Sequence, residues 1–264
     1  MINNKLLLWI NQSNGDTLAI IPVVELLLES YPEVKVKIAC YEDQAYLLEH
    51  LSVELLPING NYKNIPSREN FFRSIDTRLY EGYVPLHLWG GLYNHHLVWK
   101  HQVKTFNNQC KENNLDIFLD DSILKYIELP YRDLYVKEKS IYVENGHTVS
   151  GHSFFNFDMF KLSLMFPKTN FYITYPVNFT AENIIDCSKM NLIDLSNISK
   201  KCSLILGKGS GPYVCTLSET NKDKEKYLFE FRYHFENWDN SDKTILLDKE
   251  EEMFDLIRPI NRGK

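Results

Sequence analysis

Apolar residues fall in short blocks along the chain, separated by polar, turn-forming stretches. Leu6-Leu-Leu-Trp-Ile10 is an unbroken apolar run and predicts a strand covered on both faces. A polar turn over 11–16 leads into residues 18–28, whose apolar positions cover a wide helical face that closes at Ser30-Tyr-Pro32. Pro22 conflicts with a helix interior, so this helix either begins late or is kinked there. Residues 34–39 alternate apolar side chains with lysine and predict a second strand, 42–51 a second helix, and 53–58 a third strand. A β-α-β-α-β order requires right-handed crossovers and a parallel sheet.

From 59 to 82 this rhythm dissolves into polar and aromatic residues. The stretch reads either as a solvated loop with a short helix or as an anion-recognising insertion, with Arg68, Arg73 and Arg78 as candidate acceptor contacts. A strand over 85–89 and a helix over 95–110 follow, and 116–132 holds a further strand or helix. The second half restarts the pattern. Strands are expected over 140–144, 170–174, 184–187, 203–206, 227–234 and 244–247. Helices are expected over 157–166, 194–201, from 213 onward, and over 250–257. The reading is an α/β protein of two halves, 1–135 and 136–264, with no internal repeat.

Composition narrows the class. With 44% hydrophobic and 24% charged residues, the chain is neither disordered nor fibrous. A net charge of −6 disfavours a general nucleic-acid binder, which carries a basic surplus. The apolar start falls far short of the ~20 residues that span a bilayer, and no small-residue cleavage site follows it. Five cysteines at 40, 110, 187, 202 and 215 form no C-x-x-C pair, which fits reduced, buried thiols. A soluble, cytoplasmic chain is expected. The aromatic, arginine-containing stretch 62–83 is the candidate for a peripheral contact with the inner membrane face.

In open α/β sheets ligands bind beyond the carboxyl ends of the strands, which directs attention to three strand-to-helix loops. In Gly207-Lys-Gly-Ser-Gly-Pro212 the glycines allow close backbone approach. Lys208 adds charge there, Ser210 a hydroxyl, and the helix that follows would offer free N–H groups to an anion. The sequence is neither a Walker loop nor a dinucleotide fingerprint, and the pure-turn reading stands beside the phosphate one. The loop 146–153 places Ser150, Gly151, His152 and Ser153 before a helix, as a second phosphate contact. His147 and His152 lack an identifiable third ligand, so hydrogen bonding is favoured over metal binding. In the loop 11–16, Asp16 reads either as an N-cap or as a general base. No D-x-D pair is present to hold a divalent ion on a nucleotide diphosphate, and no G-x-S-x-G elbow occurs.

Two of these stretches carry a family resemblance. The run from Ser13-Asn-Gly-Asp16 through Pro22 to Ser30-Tyr-Pro32 resembles the opening of glycosyltransferase family 9, the heptosyltransferases. The match returns over 191–216, where a short helix, an apolar strand and Ser210-Gly-Pro212 follow in that family's order. The resemblance implies a GT-B architecture, two Rossmann-like domains facing across a cleft. It also implies metal-independent, inverting transfer from a nucleotide sugar, without a cofactor. The family's catalytic aspartate falls on Asp16. The donor would be held by Asn14, Gly15, His147, Ser150, Gly151, His152, Ser153, Lys208, Gly209, Ser210, Gly211 and Pro212, with backbone N–H groups steadying the leaving diphosphate. The chain departs from the family where an Asp precedes and a His follows the Ser-Gly-Pro turn: Gly209 and Val214 stand there.

The expected function is sugar transfer to a glycan or lipid-linked acceptor in surface polysaccharide synthesis. The alternatives are a non-catalytic nucleotide- or glycan-binding protein, and a sugar-nucleotide epimerase or hydrolase.

Overall fold

The computed structural model describes residues 5–10, 13–60, 71, 82–88, 98–123, 126–146, 155–229, 244–247 and 249–262, with backbone alone at 98–101 and 244. The chain divides into two compact units between Glu128 and Leu129, where the sequence placed the boundary after 135. The stretch after Leu129 is fastened to the C-terminal unit by Asn197. Its amide donates to the Pro130 carbonyl at 2.9 Å, and its oxygen accepts the Arg132 N–H at 3.1 Å.

The N-terminal unit contains β1 (Lys5–Trp9), α1 (Asn14–Ala19), α2 (Ile21–Ser30), β2 (Lys35–Tyr41), β3 (Glu54–Ile58), β4 (Val84–His87) and α3 (Val98–Glu112). Its strands pair in parallel in the order β3-β2-β1-β4. Leu6, Leu7 and Leu8 are each at most 1% exposed, and burial of this kind stabilises by about 2 kcal/mol per side chain. Pro22 resolves its conflict by ending one helix and starting another. The first stops at Ala19, and proline, which has no N–H to give, sits in the first turn of α2, where none is required. The helix expected over 42–51 is instead a 3-10 helix at Glu42–Leu47, and the described residues of 116–132 form neither strand nor helix. At the β4 edge Gln109 of α3 accepts the His87 N–H at 2.6 Å and donates to the His87 carbonyl, pairing backbone that no further strand reaches among the described residues.

The C-terminal unit contains β5 (Ser140–Val143), α4 (Met159–Met165), β6 (Asn170–Ile173), β7 (Ile184–Asp186), α5 (Leu192–Lys201), β8 (Leu204–Gly207), α6 (Gly211–Val214), β9 (Lys226–Phe229), β10 (Thr244–Leu247) and α7 (Glu250–Arg262). All its described pairings are parallel, in the order β10-β9-β8-β5-β6-β7. Counted within the unit this is 3-2-1-4-5-6 read from the far edge, the Rossmann order. The strand order therefore reverses between β5 and β8. The core beneath is aromatic: Phe155, Phe157 and Phe229 pack ring against ring at 4.6–5.3 Å. The closing helix α7 runs past the expected end at 257 and through Pro259 to Arg262.

Candidate functional site

The carboxyl ends of β5 and β8 meet at the reversal point, where an open α/β sheet leaves a crevice. Glu144 follows β5 directly, and its backbone N–H donates to the Leu206 carbonyl at 2.8 Å, continuing the ladder by one residue. Its side chain is 1% exposed, and its Oε2 accepts the Lys208 backbone N–H at 2.7 Å. Polar groups of Ser210 and Gly146 and the Lys208 charge lie around the same carboxylate. Those contacts favour the ionised form, yet loss of water outweighs them and raises the carboxyl to about 7. Lys208 is 3% exposed, and burial lowers its pKa against the pull of Glu144.

Three features shape the turn after β8. Gly209 adopts a φ of +78°, a conformation that favours glycine. Gly207 lies against Tyr213, where an added Cβ would come within 2.7 Å of the ring. Tyr142 of β5, fully buried, donates its phenol to the Pro212 carbonyl at 2.6 Å, and the Cys215 thiol approaches the same oxygen at 3.2 Å. Helix α6 is a single turn of four residues, so the sustained helix expected after this loop is absent and its dipole is small. Lys208, Gly209 and Ser210 thus form the turn at the reversal point, and Gly211 and Pro212 open α6 directly after it.

In the N-terminal unit the corresponding crevice opens at the ends of β1 and β4. Trp9 and His87 close these strands with rings stacked at 3.7 Å and 8°. Burial lowers the His87 pKa to about 4, so its imidazole is neutral near pH 7. Asp16 is not the N-cap of α1; Ser13 is. Asp16 sits three residues on, in a capping box: its Oδ2 accepts the Ser13 N–H at 3.1 Å and the Ser13 hydroxyl at 2.6 Å. Asn14 accepts from the buried Gln44 at 3.1 Å, which ties the turn to the 3-10 helix after β2, and Gly15 lies between Asn14 and Asp16 in α1.

His147, Ser150, Gly151, His152 and Ser153 lie outside the described residues, as do Arg68, Arg73 and Arg78. Within 62–83, Phe71 is fully buried against Trp9 and Tyr41, which places it in the core, away from any surface contact. All five cysteines are free and buried, with their thiols pushed up to about 12. Among the described residues no cluster of three or more His, Cys, Asp or Glu is placed to hold a metal ion, and no helix is long and apolar enough to cross a membrane. Sequence reasoning passed over Glu144 and Tyr142. The signal for Glu144 was a carboxylate ending an apolar strand, directly before Asn145-Gly146.

No family model matches the sequence, and no curated protein does. Solved structures are similar in fold over nearly the whole chain. The glycosyl transferase family 9 protein of Veillonella parvula has a TM-score of 0.63 at 11% identity, covering 98% of this chain and 89% of its own. The heptosyltransferase WaaC of E. coli, solved with ADP, has a TM-score of 0.59 at 9% identity, covering 97% and 99%. The ADP-heptose LPS heptosyltransferase II of E. coli has a TM-score of 0.58 at 13% identity, covering 92% and 90%. At such identities the likeness is one of fold.

Proposed function

We propose that the chain is a glycosyltransferase of GT-B type that moves a sugar from a nucleotide-sugar donor to a glycan or lipid-linked acceptor. The observation that carries this reading is the buried Glu144–Lys208–Ser210 turn at the strand-order reversal of the C-terminal unit, in a chain whose fold neighbours are sugar transferases. WaaC is described with ADP bound and with an ADP-heptose analogue bound, which supports a nucleoside diphosphate as leaving group.

In this reading the C-terminal unit takes the donor, with Lys208 and the backbone around Ser210 and Gly211 beside the diphosphate. The N-terminal unit supplies Asp16 as general base. Its carboxylate removes the proton of the acceptor hydroxyl as that oxygen attacks the anomeric carbon. The bond to the diphosphate breaks, and the sugar is transferred with inversion, without a metal. The Ser13 hydrogen bonds hold the Asp16 carboxylate in place before substrate arrives. Surface polysaccharide synthesis, in the cytoplasm or at the inner membrane face, is the setting such an acceptor implies.

The test is a ligand-observed NMR screen of UDP, GDP, ADP, CMP and their sugar conjugates against wild type and Gly211→Asp. One nucleotide diphosphate should bind and be lost in the variant, whose new carboxylate repels the phosphates. No binding by any of them would remove the donor-site assignment. A second reading, a binding protein without turnover, draws on Gly209 and Val214 standing at the family's Asp and His places. It predicts donor binding with no product from any acceptor. An epimerase or hydrolase would instead consume the donor alone.

A further inference from the structure

Beside the turn after β8, the carboxyl edge of the same sheet carries an exposed aromatic ring on a fixed backbone. Tyr175 stands two residues past the end of β6 and is 48% exposed. Asn145, two residues past the end of β5, fastens it from the neighbouring strand. The Asn145 Oδ1 accepts the Thr174 N–H at 3.1 Å and the Tyr175 N–H at 2.9 Å, and its Nδ2 donates to the Tyr175 carbonyl at 3.0 Å. One side chain thus satisfies both backbone groups of Tyr175, so its position is set although the strand has ended.

Gly146 joins this tyrosine to the turn. A Cβ added there would lie 3.4 Å from Glu144 Oε1, 3.7 Å from Tyr175 Cβ and 3.9 Å from Tyr175 Cδ2. Tyr175 and the Glu144 carboxylate therefore flank one glycine, and that carboxylate accepts the Lys208 backbone N–H at 2.7 Å. Strands β8, β5 and β6 are neighbours in the sheet, so the end of β6 stands two strand spacings, about 10 Å, from the turn. A nucleoside diphosphate with its phosphates at the turn carries its base across such a distance. Every base has a π-face, and aromatic side chains offer a surface on which it stacks.

We propose that Tyr175 is the platform on which the donor's nucleobase stacks, and that Asn145 is the positioning residue that holds the platform in place. The inference rests on the donor-site reading and deepens it. The ring supplies affinity for the base without choosing among bases, because stacking is tolerant of base identity. It contributes nothing to the phosphates, which the turn after β8 receives. Nucleotide affinity and diphosphate affinity therefore depend on different residues, and this separates the platform from the donor site itself.

The experiment measures the affinity of ADP, UDP, GDP and inorganic pyrophosphate for wild type, Tyr175→Ala, Tyr175→Phe and Asn145→Ala. Each nucleotide that binds wild type should bind Y175A about ten- to a hundredfold more weakly. Y175F keeps the aromatic face and should bind within about twofold of wild type. N145A should lose part of the nucleotide affinity, and pyrophosphate should bind all four proteins alike. Nucleotides held by Y175A as tightly as by wild type overturn the proposal and leave the donor site standing. Pyrophosphate weakened in Y175A as much as the nucleotides overturns it too, because the ring then supports the turn and not the base. Nucleotides held by N145A as tightly as by wild type remove Asn145 from the proposal. No binding of any probe to wild type removes the donor site and the platform together. Should Y175A not fold, protein with 13C-labelled tyrosine rings decides the question. The base protons of the bound nucleotide must show an NOE to a tyrosine ring that Y175F lacks, and absence of that NOE overturns the stack.

Discussion

The phenol of Tyr142 donates to the carbonyl of Pro212 across 2.6 Å, so the middle of β5 holds the turn that follows β8. Tyr142→Phe removes that bond and leaves a partly buried carbonyl with the weaker Cys215 thiol as company. The expected cost is about 1–2 kcal/mol of stability, read as a lower urea midpoint. Nucleotide binding should weaken as well, because the turn loses its anchor. A variant as stable as wild type and binding as tightly would show that the bond positions nothing.

Gly207→Ala should be more damaging than its single methyl implies. The added Cβ would lie 2.7 Å from the Tyr213 ring and 3.4 Å from the Glu144 Cβ. Tyr213 is fully buried, so its ring has little room to yield. Overpacking of this kind costs about 1–3 kcal/mol, measurable as a drop in Tm. An unchanged Tm would mean that the ring moves freely.

The two roles of Asp16 separate by comparing variants. Ser13→Ala breaks the capping box and should cost about 1 kcal/mol while leaving a carboxylate at 16. Asp16→Asn should abolish sugar transfer with donor binding intact. Transfer that survives in D16N and falls only as far as stability does in S13A would leave Asp16 a helix cap and nothing more.

Glu144, buried, and His87, half-buried, impose opposite slopes on stability against pH. Folded Glu144 holds its proton to about 7, where the unfolded chain releases it near the ordinary 4.5. The folded state then binds more protons between these values, so stability falls as pH rises across that window, by on the order of 3 kcal/mol. His87 works the other way. Its folded pKa of about 4 lies below the ordinary 6.5, the unfolded chain binds more protons between, and stability rises with pH there. Urea midpoints from about pH 4 to 8 should therefore show the rise alone in E144Q and a flattened or falling curve in wild type. Curves of the same shape would refute the Glu144 assignment.

The strands that build both sheets were readable in the sequence because parallel strands buried on two faces become apolar runs, as in Leu6–Leu8 and Leu204–Leu206. Periodicity could not tell the 3-10 helix at Glu42–Leu47 from an α-helix, since both bring residues three or four apart to one face. It placed Asp16 at the start of a helix but could not choose between N-cap and N3, which turns on the backbone of Ser13. Glu144 was hidden for a different reason. A polar residue ending a strand is ordinary, and only the strand order, a property of residues far apart in sequence, places it beside Lys208.

Every described strand pairing is parallel, and this has a consequence for how the chain reaches its structure. Leu6 pairs with Val84 and Ile141 with Leu204, so the central contacts of each sheet join residues far apart in the chain, and no tight hairpin brings them together. Closing such long loops is what slows folding, and until it happens the apolar strands stay open to other chains. Synthesis releases the N-terminal unit first, so β1 must wait for β4 to emerge before its sheet is complete. Expression at lower temperature, which lengthens that interval for folding relative to aggregation, should raise the soluble yield.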